Sequence, residues 1–530
     1  MRNLLTTLRV SFLLMLSLPA LKVSAQTNYG TLTNASLSSR VFSNLELFFD
    51  SQSQHGFFES PAGSGKSAIF ASSFWLGGLD NSNVLHVSQQ TYAQAGDQNF
   101  YPGPLDTLNA TAAVPALWNH VWCLTKAQVQ YHITNWNQPW YVMPTDIETW
   151  PGNAPVGSSY NQVLAPFYDS NMNSIYEPAL GEYPVFPGDV AAYFIANDNY
   201  AAPQNGTPSM KTEYHVLAYM YNSADVAVSN TVFVKLQMKN FSGQDYHDVY
   251  FSNWTDFDLG NAADDHVGTD VGQSMVYVVN GDPNDEGSNC YGYNAPACGL
   301  KFLNTSISHS MYYYNINNDT LKGNPVLGED FYHLLKSEWM NGQHMTYGNA
   351  GFDLVGTNCN YAFPGLTDPA FPGNDWTMAS AGVVPDDWRI LGTVGPFDLL
   401  AGGVKTFEMA YVVSYGSNGT LSSLGQLLTD AQHIQDLYNG SALTINDIEH
   451  HNLMVKSSLT GSTVEIVCPD DMKGKKIALK IFDVTGQEVL VSNYSSVDLL
   501  SVDVSNLSAG MYIVSLSDGN KNYTSKIICQ

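Results

Sequence analysis

In the stretch PFYDSNMNSIYEP (166–178), Asp169, Asn171 and Asn173 occupy alternate positions, followed by Ile175 and Glu177. Calcium loops present oxygens at this spacing. Side chains serve at the first, third and fifth positions, and a backbone carbonyl serves at the seventh. Ile175 would supply that carbonyl, and Glu177 falls at the ninth position. The pattern is incomplete: Ser174 stands where a sharp turn calls for glycine, and Leu180 stands where a carboxylate is expected at the twelfth. The nearest acid is Glu182. Two expectations follow. One is a residual calcium loop in which the metal braces the chain; the other is a polar turn held by Asx hydrogen bonds.

A second group is denser. DFDLGNAADDHVGTD (256–270) carries Asp256, Asp258, Asp264, Asp265 and Asp270, read as a loop after a strand. So many carboxylates close together need a cation, backbone N–H groups or water to neutralise them. They are candidates for calcium ligands. A pair of them is also a candidate acid and nucleophile for glycoside hydrolysis, where their separation in space decides the chemistry.

Other chemistry lacks its residues. SPAGSGKS (60–67) imitates a phosphate loop, but Ser60 stands in place of the first glycine. Neither H-E-x-x-H nor G-x-S-x-G occurs, which removes the zincin and α/β-hydrolase signatures. Trp136, Trp140, Tyr141 and Trp150 are candidates either for a sugar-stacking surface or for plain packing. Cys290 and Cys298 bracket a turn-rich loop that a disulfide could close, although spacing alone does not assign pairing.

The chain has 530 residues, of which 13% are charged and 12% aromatic, with 31 tyrosines. That is too apolar for a disordered chain and suits a turn-rich, extracellular all-β protein. MRNLLTTLR, the apolar run VSFLLMLSLPAL and the small residues before Gln26 read as a secretory signal peptide over residues 1–25. No later stretch has the apolar length of a membrane helix. The formal charge is −27, or −30 without that leader. Residues 449–530 hold nine acids against seven lysines, which leaves −28 to residues 26–448. A body this acidic repels nucleic acid and anionic lipid and attracts cations.

The elements that must position these residues are mostly strands. NTVFVKLQMKNFS (230–242) alternates with period two. HDVYFSNWTDFDLG follows after a short turn, so the two are expected to form an antiparallel hairpin. SMVYVVNGD and KTFEMAYVVSYG predict further strands. Two helices are predicted. One carries Tyr332, Leu335 and Trp339 on one face and ends at Gly342. The other places Leu424, Leu427, Leu428, Ala431, Ile434 and Leu437 at helical spacing and ends at Gly440. The fold class expected is all-β: a multi-sheet β-sandwich body of one or two subdomains over residues 26–440, then a linker at 441–448. A C-terminal sandwich of six or seven short strands, immunoglobulin-like in size and rhythm, follows at 449–530.

IFDVTGQEV (481–489), DVSNLSAGMYIVSL (503–516) and the terminal SKIICQ (525–530) stand in order and at suitable distances. In these residues the C-terminal segment resembles the type A sorting domain of cargo exported by the type IX secretion system of Bacteroidota. It departs from that pattern at its opening, where LMVKSSLTGS stands in place of a YPNP-like turn. The resemblance implies an exported protein whose residues 449–530 are read by the secretion machinery. Segments such as FWLGGLD (74–80), YPGPLD (101–106) and GPFDLLAGG (395–403) resemble a group of large secreted proteins of the same bacteria. That likeness implies secretion and β architecture and no reaction. The function expected is a non-enzymatic secreted or cell-surface protein, adhesive or structural, with calcium as the candidate cofactor. A glycan or surface partner is expected rather than nucleic acid. The alternative is a secreted hydrolase or carbohydrate-binding protein acting on polysaccharide.

Overall fold

Two large antiparallel sheets form the body. In the computed structural model, the structure describes residues 28–50, 53–92 and 99–440, together with most of 455–529. The expected leader (1–25) and linker (441–448) lie outside the described residues. The chain divides into two compact units, residues 1–444 and 445–530.

The larger sheet runs in the order Asp265–Asp270, Met275–Asn280, Ala297–Phe302, Val404–Ser414, Thr231–Asn240, Thr212–Met220 and Val190–Asn197. The short strands Tyr101–Pro102 and Trp122–Thr125 both pair with Val190–Asn197. The smaller sheet runs His309–Tyr314, Trp388–Leu399, Tyr246–Asp256, Ala71–Asp80, Leu85–Gln89. The two sheets face one another across a single core. Phe251 of the smaller sheet stacks on Phe407 of the larger, with ring centroids 3.9 Å apart and planes 7° from parallel. A polar pin crosses the same core: Asn253 Nδ2 donates to the Tyr411 hydroxyl at 2.6 Å, and Ser72 Oγ bonds that hydroxyl at 2.9 Å. Burial makes such a satisfied polar contact a device for fixing how the sheets align.

The expected hairpin between 230–242 and the strand after it does not form. Thr231–Asn240 lies in one sheet and Tyr246–Asp256 in the other. Nearly every residue of Tyr246–Asp256 is buried, so the strand needs a neighbour on each edge and takes Ala71–Asp80 and Trp388–Leu399. The connecting turn therefore crosses the sandwich. Asn240 Nδ2 ties it down by donating to the carbonyls of Gln244, Leu399 and Leu400.

The first predicted helix is shorter than expected. It covers Gly328–Leu335, and Trp339 lies beyond it, fully buried against Tyr312. Ser337, at φ 56°, leaves the helical region and turns the chain. The second helix spans Ser423–Asn439 and ends at Gly440 as predicted. It buries Leu427, Ala431 and Ile434 while Leu424, Leu428 and Leu437 stay half-buried. Cys290 and Cys298, which a disulfide could have joined, are both free thiols. Cys298 sits inside the core on the strand Ala297–Phe302.

Among the described residues, the C-terminal unit contains seven strands. Val455–Ser457, Thr463–Val467 and Leu499–Asp503 make one sheet; Glu488–Ser495, Lys476–Asp483, Gly510–Ser517 and Asn522–Cys529 make the other. It has its own core, including Ile466, Leu479, Ile481, Val514 and Leu516. The alternation within KIALKIFD supplies it, since Ile477, Leu479 and Ile481 all point inward.

Candidate functional site

The acidic residues fall into four separate environments. The 169–177 loop is exposed and closes on itself. A two-stranded ribbon, Phe167–Tyr168 with Tyr183–Pro184, holds its ends together. The Asp169 carboxylate accepts from the backbone amides of Asn173 (3.2 Å) and Ser174 (2.7 Å). Asn173 Oδ1 accepts from the Ile175 amide at 2.7 Å. The side-chain amides of Asn171 and Asn173 both donate to Glu177 Oε2, at 2.9 and 2.7 Å. Ser174 has φ 61°, the left-handed region in which the expected glycine would be at ease. Leu180, at the position where a carboxylate was sought, is 52% exposed. Glu182 is fully buried and accepts from the amides of Ser170 (3.0 Å) and Glu177 (2.7 Å). These contacts are those of a polar Asx turn. Turning both asparagine amides over would offer oxygens to a cation instead.

The 256–270 group is not one loop. Asp256 is the last residue of a central strand, while Asp265 and Asp270 begin and end the next strand. Six residues of strand put those two on the order of 17 Å apart. Asp270 spends its Oδ1 on the Gln273 amide at 2.8 Å, closing the hairpin that follows.

Asp264 and Asp265 point toward Asp285, a residue the spacing arguments passed over. Asp285 accepts from the Asn261 amide at 3.0 Å and from the Tyr291 amide. Asp265 is buried, with Oδ2 on the Leu259 amide at 2.9 Å and Oδ1 without a partner. Burial pushes its carboxyl well above the ordinary range, and that of Asp264 up to about 6.

Asp256 and Asp258 meet Asp387. One ligating oxygen from each lies within 4.8 Å of the other two. Sheet register builds this meeting: Asp256 is the direct cross-strand partner of Arg389, the second residue of Trp388–Leu399. Arg389 Nη2 reaches Asp256 Oδ2 at 2.6 Å and the Tyr92 hydroxyl at 2.9 Å. Its Nη1 pairs with Asp387 Oδ1. Asn315 Nδ2 donates to Asp387 Oδ2 at 2.8 Å from the residue that follows the strand His309–Tyr314. Asp256 is fully buried; Asp258 is partly buried, with its Oδ1 sealed from solvent. Burial pushes Asp258 up to about 7, with the charge of Asp387 adding to it and Arg389 opposing it. Burial likewise pushes Asp256 upward against the pull of Arg389.

The remaining candidates resolve simply. In SPAGSGKS, the amides of Gly63 and Gly65 both point at Glu59's own carboxylate, so the loop holds no cradle for a phosphate. Trp150 is core, and Trp136 packs over Gly181, where a Cβ would come within 2.6 Å of the indole. Trp140 is 59% and Tyr131 50% exposed; the Tyr131 ring lies 6.4 Å from Trp140 and 5.8 Å from Tyr141. A groove of about 410 Å³ lies beside Tyr314, Ala381, Val384 and Trp388, with Asp386 its one carboxylate.

Residues 460–530 match the secretion system C-terminal sorting domain. No curated protein matches the chain. A solved structure of a polysaccharide lyase aligns at 12% identity over 59% of this chain, with a TM-score of 0.18. It carries no argument at that score, and the alignment spans 34% of that structure's length.

Proposed function

From the premise that this chain is a cargo of the type IX secretion system, exported to the cell surface or beyond by its C-terminal sorting domain, we propose that the body is a non-enzymatic surface component, structural or adhesive. One observation carries this reading. Two of the carboxylates that would serve as acid and nucleophile are closed to a substrate: Asp256 is fully buried and ion-paired with Arg389, and Asp270 closes its own turn. A sugar ring has no approach to Asp256, and glycoside hydrolysis needs two carboxyl groups flanking the bond.

The test is incubation of the purified chain with a panel of polysaccharides. No product is expected. Turnover that is lost on Asp264→Asn, the most exposed acid of the group, would favour the hydrolase instead. A second reading, glycan binding without cleavage, draws on the exposed Tyr131 and Trp140 with the half-buried Tyr141 beside them. It requires retention on an immobilised glycan that Trp140→Ala abolishes. Removal of residues 449–530 is expected to leave the protein in the periplasm; normal surface display of the shortened chain would end the sorting role.

A further inference from the structure

We infer that Asp256, Asp258 and Asp387 form a partly buried binding site for one calcium ion. This goes beyond the surface reading and does not depend on it. Three observations converge. The first is geometric. Two oxygens bound to one calcium at about 2.4 Å are never more than about 4.8 Å apart, and the three carboxylates meet that limit pairwise.

The second is an orphaned group. Asp256 is 0% exposed, yet its Oδ1 has no hydrogen-bond partner, while its Oδ2 is held on Arg389. Asp258 Oδ1 is likewise sealed without a partner. A buried carboxylate oxygen with nothing opposite it is expensive, and a cation held by the same three carboxylates would meet that cost.

The third is charge. Three acids share one guanidinium, which leaves two negative charges when all are ionised. A divalent ion cancels that excess without adding a second bulky side chain. The same fold shows what a buried acid looks like when no ion is needed. Asp198, also 0% exposed, accepts from Ser88 Oγ, Thr212 Oγ1 and the amides of Met210 and Thr212. Both its oxygens are filled by protein donors, whereas Asp256 and Asp258 each keep a buried oxygen with no donor. Water would complete the coordination, since calcium takes six to eight oxygens.

The experiment uses the full chain stripped with a chelator and titrated with terbium, a calcium surrogate. Tyr92 bonds Arg389, and its ring lies 6.1 Å from that of Trp254, so both aromatics are placed to sensitise a bound lanthanide. Sensitised emission that calcium displaces, that is lost in Asp258→Asn and that persists in Asp169→Asn supports the site. Emission absent from the wild type, or undiminished in Asp258→Asn, overturns it. Because Asp258→Asn can itself misfold, melting of the wild type in calcium and in chelator provides a second readout. An increase of several degrees in calcium that Asp387→Asn removes supports the site, and an unchanged melt overturns it. A third outcome also overturns it: Asp258→Asn melting above the wild type in chelator, with no calcium response in either, would show that a shared proton does the ion's work.

Discussion

The 169–177 loop and the cluster around Arg389 use the same side-chain chemistry in opposite surroundings. In the loop, each carboxylate has local donors: Asp169 takes two amides of its own turn, and Glu177 takes two asparagine side chains. Water is at hand for whatever remains. In the cluster, Asp256, Asp258 and Asp387 arrive from strand ends far apart in the chain, and Asp256 Oδ1 and Asp258 Oδ1 are sealed from solvent. Proximity in sequence thus lets acids be neutralised by their own backbone. In the cluster no backbone amide reaches Asp256 Oδ1 or Asp258 Oδ1, and Arg389 is the cation that the fold itself supplies.

That contrast can be broken at several points. The largest effect is expected from Arg389→Ala, which strands Asp256 in the core; removing one partner of a buried pair costs about 3–5 kcal/mol. Urea unfolding measures it, and a loss under about 1 kcal/mol would mean that Arg389 is not the group that neutralises the cluster. Next comes Asp198, the buried acid with a full set of donors. Burial raises its carboxyl to about 6, so the native state keeps this proton more tightly than the unfolded chain does. Its contribution to stability is therefore greatest below about pH 4 and declines as pH rises to about 6, by up to about 3 kcal/mol. In Asp198→Asn that portion of the pH dependence should vanish; an unchanged slope would assign it elsewhere.

Smaller effects are expected at the exposed loop. Glu182→Ala frees the amides of Ser170 and Glu177, at about 1–2 kcal/mol, and amide exchange in residues 169–177 should accelerate locally. Exchange spread through the whole body would place Glu182 in the global core instead. Asp169→Ala should cost the least, about 0.5–1 kcal/mol, because water replaces the lost acceptor. A loss as large as that of Arg389→Ala would erase the distinction between the two regions.

Much of this was legible from residues in order. The seven short strands of the tail, the helix Ser423–Asn439 and the strands Met275–Asn280 and Val404–Ser414 follow their hydrophobic periods. The left-handed turn at Ser174 sits where the calcium-like spacing calls for glycine. The hairpin expectation for Thr231–Asn240 and Tyr246–Asp256 failed because period-two alternation tells which face is buried, and a short turn serves equally to pair two strands or to carry the chain between sheets. Asp285 escaped notice because it lies in a turn outside the acidic run.

By itself, then, the amino-acid order determined what is local: a strand-rich, acidic, exported chain, a self-contained sorting domain, and the spacing of a loop whose partners all lie within a few residues. Only the tertiary structure decided which acids share a site. Asp258 follows the strand that carries Asp256, while Asp387 precedes a strand much later in the chain; the register that sets Asp256 opposite Arg389 brings all three together. That register answers to the burial of Trp254, Ile390 and Leu391 in the core, and the pairing of distant strands is a property of packing that no run of neighbouring residues contains.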